Sequence, residues 1–481
     1  MNIILLQPTD VLFFRDGRPM GGASAGHGAA WPLPSVINHA FHAALHRAGD
    51  VFKDAHSHRR GRSGIYPDAT EHRDRRFGSL VTAGPFPVCT SGADHTWFFP
   101  RPADADDSGK VFLHPHRVDA PSSLPAPCNY PVTSTKPPSK DTPKTWWSEG
   151  AWNAYLGSSQ RSELSARSFL KRDADFADTE HQIGIGIDPE TQTQDKTNFY
   201  SAHYLRLRDD FRLGLFAEAM DKVNDGVNLK RDLIHDLLNG NPAQIVVGGQ
   251  QRVCTASRCA ATGVLPLPRG LQATTDFKPC GNRKFAVKWI LLSPAIWPEI
   301  QGGTSKSGDI IHAHPGGWLP NWVFLDWDEE NRAGRPSDRN GQVLLKLRSG
   351  KLRRNYSGPR VKRVAEGGES AESAISARLV AAIVPKSIPV TGWALANDTD
   401  RPEGGAKATQ LAVPAGAVYY FEADSEVEAA KLAAALNWHG NEANSTTIKN
   451  RRSTLLGEKG FGIGVCGTWD FFPDVGGRST K

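Results

Sequence analysis

Residues 13–31 read FFRDGRPMGGASAGHGAAW. An apolar run, Ile3 to Leu6, stands before this stretch and a helix-like segment begins near Ser35 after it. The order is therefore strand, glycine-rich loop, helix, the opening of an α+β unit. Five glycines in the loop allow backbone amides to approach a ligand, because no Cβ blocks the way. Arg15 and Arg18 add fixed charge in a fork suited to phosphate, and His27 joins them. The loop reads as a grip on an RNA backbone. A surface connection between strand and helix accounts for the same residues.

At 481 residues the chain exceeds one ordinary core, so two or three domains are expected. A net charge of +6 permits a polyanionic partner without demanding one. The six cysteines, Cys89, Cys128, Cys254, Cys259, Cys280 and Cys466, include no CxxC pair, which argues against a zinc ribbon. The N-terminus lacks a basic region and its apolar run stops at Gln7-Pro8, unlike a signal peptide. No apolar run is long enough to span a membrane. A cytoplasmic protein with reduced thiols is expected.

Asn2 to Leu6 predicts a buried strand ended by Pro8. Ser35 is the expected N-cap of a helix whose apolar face carries Val36, Ile37, Ala40, Phe41, Ala44 and Leu45. His39, His42 and His46 lie on the other face; His42 and His46 are four apart, but no third ligand accompanies them and no metal is expected. Residues 50–180, rich in proline and charge, read as an irregular insertion. Trp146, Trp147 and Trp152 fit either a partner contact or core packing.

Ile183, Ile185 and Ile187 alternate with Gly184, Gly186 and Asp188 as in a strand. Tyr200 to Arg208 and Phe211 to Phe216 extend this to a meander carrying Arg206 and Arg208 on one face. Arg231 to Leu238 predicts a helix. Ile245 to Val247 then runs into Gly248-Gly249-Gln250-Gln251-Arg252 before Val253 to Ala256. Two glycines beside an arginine suggest a close backbone approach; a bulge or tight turn in a sheet is the alternative.

A second unit begins near Lys284, with strands at Phe285–Leu292, Leu379–Val384 and within Leu411–Glu422. Residues 300–375 read as another irregular insertion. Within it, Lys346 to Arg363 holds eight Lys/Arg and no acid, either a solvated arm or a nucleic-acid contact. Ser425-x-x-Glu428 is a capping box for a helix reaching about Trp438. Gly462, Gly464 and Gly467 spell GxGxxG, but too little chain follows for a dinucleotide fold. A glycine-rich hairpin at 457–467 is expected instead, with Gly460, Gly462 and Gly464 facing outward beside Lys459.

Strand–helix–strand–strand–helix–strand order occurs twice. The expected fold is α+β: two tandem ferredoxin-like (RRM-like) domains, 1–256 and 284–481, with long irregular insertions. QPTDVLFFRDGRPMGGASAGHG with PLPSVINHAF, IGIGIDPETQT with FYSAHYLRLRD, GGQQR, VPAGAVYYFE and GEKGFGIG occur in that order. On these stretches the chain resembles the RAMP proteins of CRISPR systems, and within them the family of the third subunit of the type III-B (Cmr) effector complex. The family's GGE-type turn stands here as Gly248-Gly249-Gln250.

The resemblance implies a non-catalytic antiviral-defence subunit without cofactor or metal. It would hold the repeat-derived 5′ tag of the guide RNA between the large palm-domain subunit and the first backbone RAMP subunit. The residues expected on RNA are Arg15, Arg18, His27, Gly248, Gly249, Gln250, Arg252, Lys459, Gly460, Gly462 and Gly464. Related proteins cut precursor guide RNA without metal, which would make His27 a general acid–base residue. A purely architectural subunit without RNA contact is the third reading.

Overall fold

The computed structural model describes residues 1–15, 25–26, 31–48, 80–92, 94–106, 112–118, 123–134, 144–156, 170–187, 190–222, 230–259, 263–281, 283–304, 310–348, 351–352, 360–361, 372–394, 405–442 and 444–472. Arg18, His27, His56–Arg76 and most of the basic run 346–363 fall outside the described residues.

The apolar run at the N-terminus forms β1 (Asn2–Pro8), with Ile4 and Leu6 fully buried. Helix α1 spans Pro34–Arg47, and Ile37, Ala40, Phe41 and Leu45 are buried, as the periodicity predicts. Its N-cap is Leu33 rather than Ser35, with no side-chain cap bond. Pro34 starts the helix because its fixed φ suits the first turn, where no N–H is needed.

Then follow β2 (Leu80–Ser91), β3 (Asp94–Pro100), β4 (Trp146–Ser148), α2 (Glu149–Leu156) and β5 (Leu170–Lys171). A long ribbon comes next, β6 (Ala177–Ile187) with β7 (Gln194–Leu207), then β8 (Phe211–Lys222). A one-turn helix, α3 (Leu233–Leu237), is shorter than expected; Asp232 Oδ1 caps it by accepting from Ile234 N at 3.1 Å. The hairpin β9 (Ala243–Val246) and β10 (Val253–Arg258) closes this half. The strand order is β9-β10-β1-β8-β2-β3-β4-β5. Residues 80–100, expected to be irregular, are thus integral to the main sheet.

The second sheet comprises β11 (Pro279–Gly281), β12 (Lys284–Leu291), β13 (Ala377–Ile383), β14 (Val418–Ala423) and, after helix α4 (Glu426–Leu436), β15 (Gly464–Gly467). Strand β12 pairs with β14 on one side and with β11 and β15 on the other, and β14 also pairs with β13. The fold is α+β with mostly antiparallel sheets and few helices.

The two halves share a core. One cluster joins Ile3, Trp97, Trp147, Trp152 and Phe216 to Ile290, Val418, Trp438 and Ile463. The tryptophans of 146–152 are therefore core residues rather than a partner surface. At the same junction Lys288 donates to Asp104 Oδ2 at 2.7 Å and to Tyr155 Oη at 2.5 Å, and all three side chains are buried. Among the described residues no helix is long and apolar enough to cross a membrane.

Candidate nucleic-acid interface

The hairpin between β9 and β10 turns through Gly248 (φ +80°), Gln250 (φ +55°) and Gln251 (φ +53°). Its close approach is to the chain itself. Gly249 N donates to Phe13 O at 2.9 Å, and a Cβ on Gly248 would stand 2.5 Å from that same oxygen. Only glycine admits the base of the 13–31 loop here. The turn consequently sits against Phe13, two residues before exposed Arg15.

Around this contact the ribbon supplies Tyr204, whose ring lies 5.4 Å from that of Phe13 and whose hydroxyl donates to Gln250 Oε1 at 2.6 Å. The Arg252 guanidinium lies 5.0 Å above the Tyr204 ring and 3.4 Å from Asp10. Asp10 also pairs with Arg206 at 3.0 Å, and Arg206 is bonded to Glu180. Four of the predicted residues, Gly248, Gly249, Gln250 and Arg252, with Arg15 nearby, thus share one surface. Tyr204, Asp10 and Arg206 were not singled out as site residues. Only the alternation over 200–208 pointed to Tyr204 and Arg206.

The C-terminal glycines differ from expectation. Residues Gly457–Lys459 form a 3-10 turn, not a hairpin strand, and Gly460 (φ +98°) and Gly462 (φ +74°) are left-handed. Gly460, Gly462 and Gly464 are buried, so they make no outward face. A Cβ on Gly462 would fall 2.0 Å from Ser453 N, and one on Gly464 2.4 Å from Trp289 Nε1. Gly460 lets the turn rest on Ala83 and Pro34.

That turn presents Lys459 to α1, where its Nζ donates to His39 Nε2 at 2.8 Å. Desolvation, then the charges of Lys459, Lys407 and His42, push the His39 imidazole down to about 4. Desolvation also lowers Lys459. The polar face of α1 supplied this contact, although its partner was not legible. Among the described residues no group of three or more metal-binding side chains occurs.

The ribbon leaves a different surface open. Ile183, Ile185 and Ile187 are 62%, 50% and 62% exposed, on one face of β6. Within the ribbon the His181 and His203 rings face each other at 4.8 Å, tilted by 38°.

This α+β chain, with its glycine turns and cation-bearing edge, is a Cmr3-like RAMP subunit of CRISPR systems. A family model described as CRISPR-associated protein (Cas_Cmr3) matches residues 4–469, and the chain belongs to that family. A search among solved structures finds similarity to a chain of the "Cryo-EM structure of the Type III-B Cmr-beta bound to cognate target RNA and AMPPnP, state 1", at 13% identity. It covers 87% of this chain and 86% of that one, with a TM-score of 0.36. A chain of the corresponding complex "bound to cognate target RNA" is similar at 12% identity, with the same coverage and a TM-score of 0.35. Comparison with curated proteins gives no match.

Proposed function

We propose that this chain is the non-catalytic subunit of a type III-B effector complex that holds the 5′ repeat-derived tag of the guide RNA. In this reading it bridges the large palm-domain subunit to the first backbone RAMP subunit. Family membership sets the complex. Strand order supports tandem ferredoxin-like units: β10-β1-β8-β2 and β15-β12-β14-β13 each run 4-1-3-2 in unit order. The second unit departs from the pattern, having no helix between β12 and β13 among the described residues.

The observation that carries RNA binding is the anchoring of the Gly248–Arg252 turn on Phe13. It brings Arg252, Gln250 and the base of the arginine-bearing loop to one side of Tyr204. Cations fixed on one surface suit single-stranded RNA, whose backbone is held by phosphate contacts, and the buried Tyr204 ring serves to orient Arg252. Lys459, seated against His39, adds a second cationic position. Gly460, Gly462 and Gly464 serve this reading only by placing Lys459.

Arg15→Ala with Arg252→Ala in the reconstituted complex is expected to weaken guide-RNA binding. Each lost phosphate contact should lower the log–log salt slope by about 0.7. An unchanged slope with a normal melt overturns the phosphate role of these arginines. Repeat RNA incubated with the protein in EDTA should remain intact. Site-specific cutting abolished by His27→Ala would instead establish the endoribonuclease.

A further inference from the structure

Away from the Phe13 cluster, a cleft of about 500 Å³ opens where the two halves meet. One wall carries Trp31, Trp146 and Phe86; the other is Leu292–Pro294 with Ile388 and Pro414–Gly416. Trp31 and Trp146 stand 5.4 Å apart at 60°, so they form a corner rather than a parallel sandwich. Their indole N–H groups are already used: Trp31 Nε1 donates to Pro85 O at 3.0 Å, and Trp146 Nε1 to Asp173 Oδ1 at 2.6 Å. Both rings are thereby fixed.

Polar groups in the cleft are few. Asp173 Oδ1 also accepts from Thr145 Oγ1 at 3.1 Å, and among the described residues no bond to Oδ2 is made, so Oδ2 can accept from a ligand. Arg101 also lines the cleft, its guanidinium held by Ala105 O at 2.8 Å. The prolines on both walls offer no N–H. An aromatic wall with one carboxylate acceptor suits a flat ring with N–H groups on its edge. A plain aliphatic side chain would leave the Asp173 acceptor unused.

We propose that this cleft binds a nucleobase, stacked on the half-buried Trp31 beside the buried edge of Trp146, with an edge N–H donating to Asp173. The base could be supplied by a free nucleotide or by an unpaired position of bound RNA; the latter source rests on the RNA-binding reading above.

Two titrations of the full chain test this. The first uses AMP, GMP, CMP and UMP, followed by calorimetry. The second uses guide RNA carrying 2-aminopurine at single tag positions, with the analogue's fluorescence as readout. Saturable binding of a mononucleotide, weakened five- to a hundredfold by Trp31→Leu, identifies a free nucleotide as a ligand; that range is roughly the one for losing a stacking ring. Quenching at one RNA position, relieved by Trp31→Leu, identifies an RNA base. Asp173→Ala, at an exposed site, should weaken either one and change the preference among bases even if the tryptophan variant folds poorly. RNA binding with an ordinary salt slope but no response to either substitution, together with no mononucleotide binding, overturns the cleft and leaves the RNA reading intact. Mononucleotide binding without RNA binding does the reverse.

Discussion

Lys288→Met tests how the two halves are joined. Lys288 lies on β12, whereas Asp104 and Tyr155 belong to the first half, and the Lys288 and Asp104 side chains are 5% and 1% exposed. The substitution keeps an unbranched chain of similar volume and removes the cation. Asp104 then keeps the 2.5 Å bond that Tyr155 donates, but loses the Nζ donor at 2.7 Å. Breaking a buried pair by removing one partner costs about 3–5 kcal/mol, because the remaining charge is uncompensated. The surviving Tyr155 bond puts the expectation near the lower bound, about 3 kcal/mol. Specific unfolding entropies of about 2 cal/mol/K per residue make this a drop of about 3 °C in Tm if the chain unfolds as one unit. Adding Asp104→Leu should recover most of the loss, since hydrophobic replacement of a buried pair is often neutral. Differential scanning calorimetry of the two single variants and the double variant gives the coupling. A Lys288→Met melt equal to that of the parent chain, or a double variant as unstable as the sum of the singles, would show that the pair is not compensating a buried charge.

Gly462→Val should lower Tm strongly and reduce soluble yield, because valine is strained at φ +74° and its Cβ would meet Ser453 N. Gly464→Ala should do likewise through Trp289, and a normal melt for either would contradict the buried packing. Acid should also destabilise the fold. Burial pushes His314 and His439 down to about 4, so the folded state resists protons that the unfolded state takes up near 6.5. Their neutral forms cost nothing above that pH. As the pH falls to 4, each removes about 3 kcal/mol by linkage. The geometry agrees: protonating His314 Nδ1 breaks its bond from Gly316 N, and protonating His439 Nε2 breaks that from Gly270 N. Either imidazole titrating near 6.5 by NMR would refute this.

What was legible in the chain was local. The strand at Asn2–Leu6 and the apolar face of α1 follow from period alone. The cap at Ser425, which accepts from Glu428 N at 3.2 Å, is a short-range pattern. Strand β2 was obscured by its own residues. Gly84, Pro85 and Pro87 read as breakers, yet the pairing of β2 with β8 shifts register between Gly214 and Phe216, and Gly84 adopts φ +98° there. The irregularity absorbs what a regular ladder would reject. The glycines of 460–464 misled for a related reason. Their alternation with Phe461 and Ile463 imitates a two-faced strand, but left-handed residues at 460 and 462 break the period. Their neighbours, Ala83, Ser453 and Trp289, are distant in sequence or joined only by tertiary packing.

The two glycine-rich turns share a logic that neither displays alone. In each, glycine admits the chain's own backbone: Phe13 at Gly248, and Thr82 with Ala83 at Gly460. In each, a cation follows or precedes the contact by a few residues, Arg252 in one case and Lys459 in the other. A long basic side chain loses much rotamer entropy when it is fixed, about 2 kcal/mol for lysine or arginine. Here the mount is already rigid, and a second group takes up part of that ordering before any ligand arrives: the Tyr204 ring beneath Arg252, and the His39 imidazole beside Lys459. Under the RNA-binding reading, the glycines act through what they position, and the contacts with phosphate fall to the residues beside them. Substitutions at Gly248 or Gly460 should therefore harm folding and RNA binding together, whereas Arg252→Ala and Lys459→Ala should separate the two.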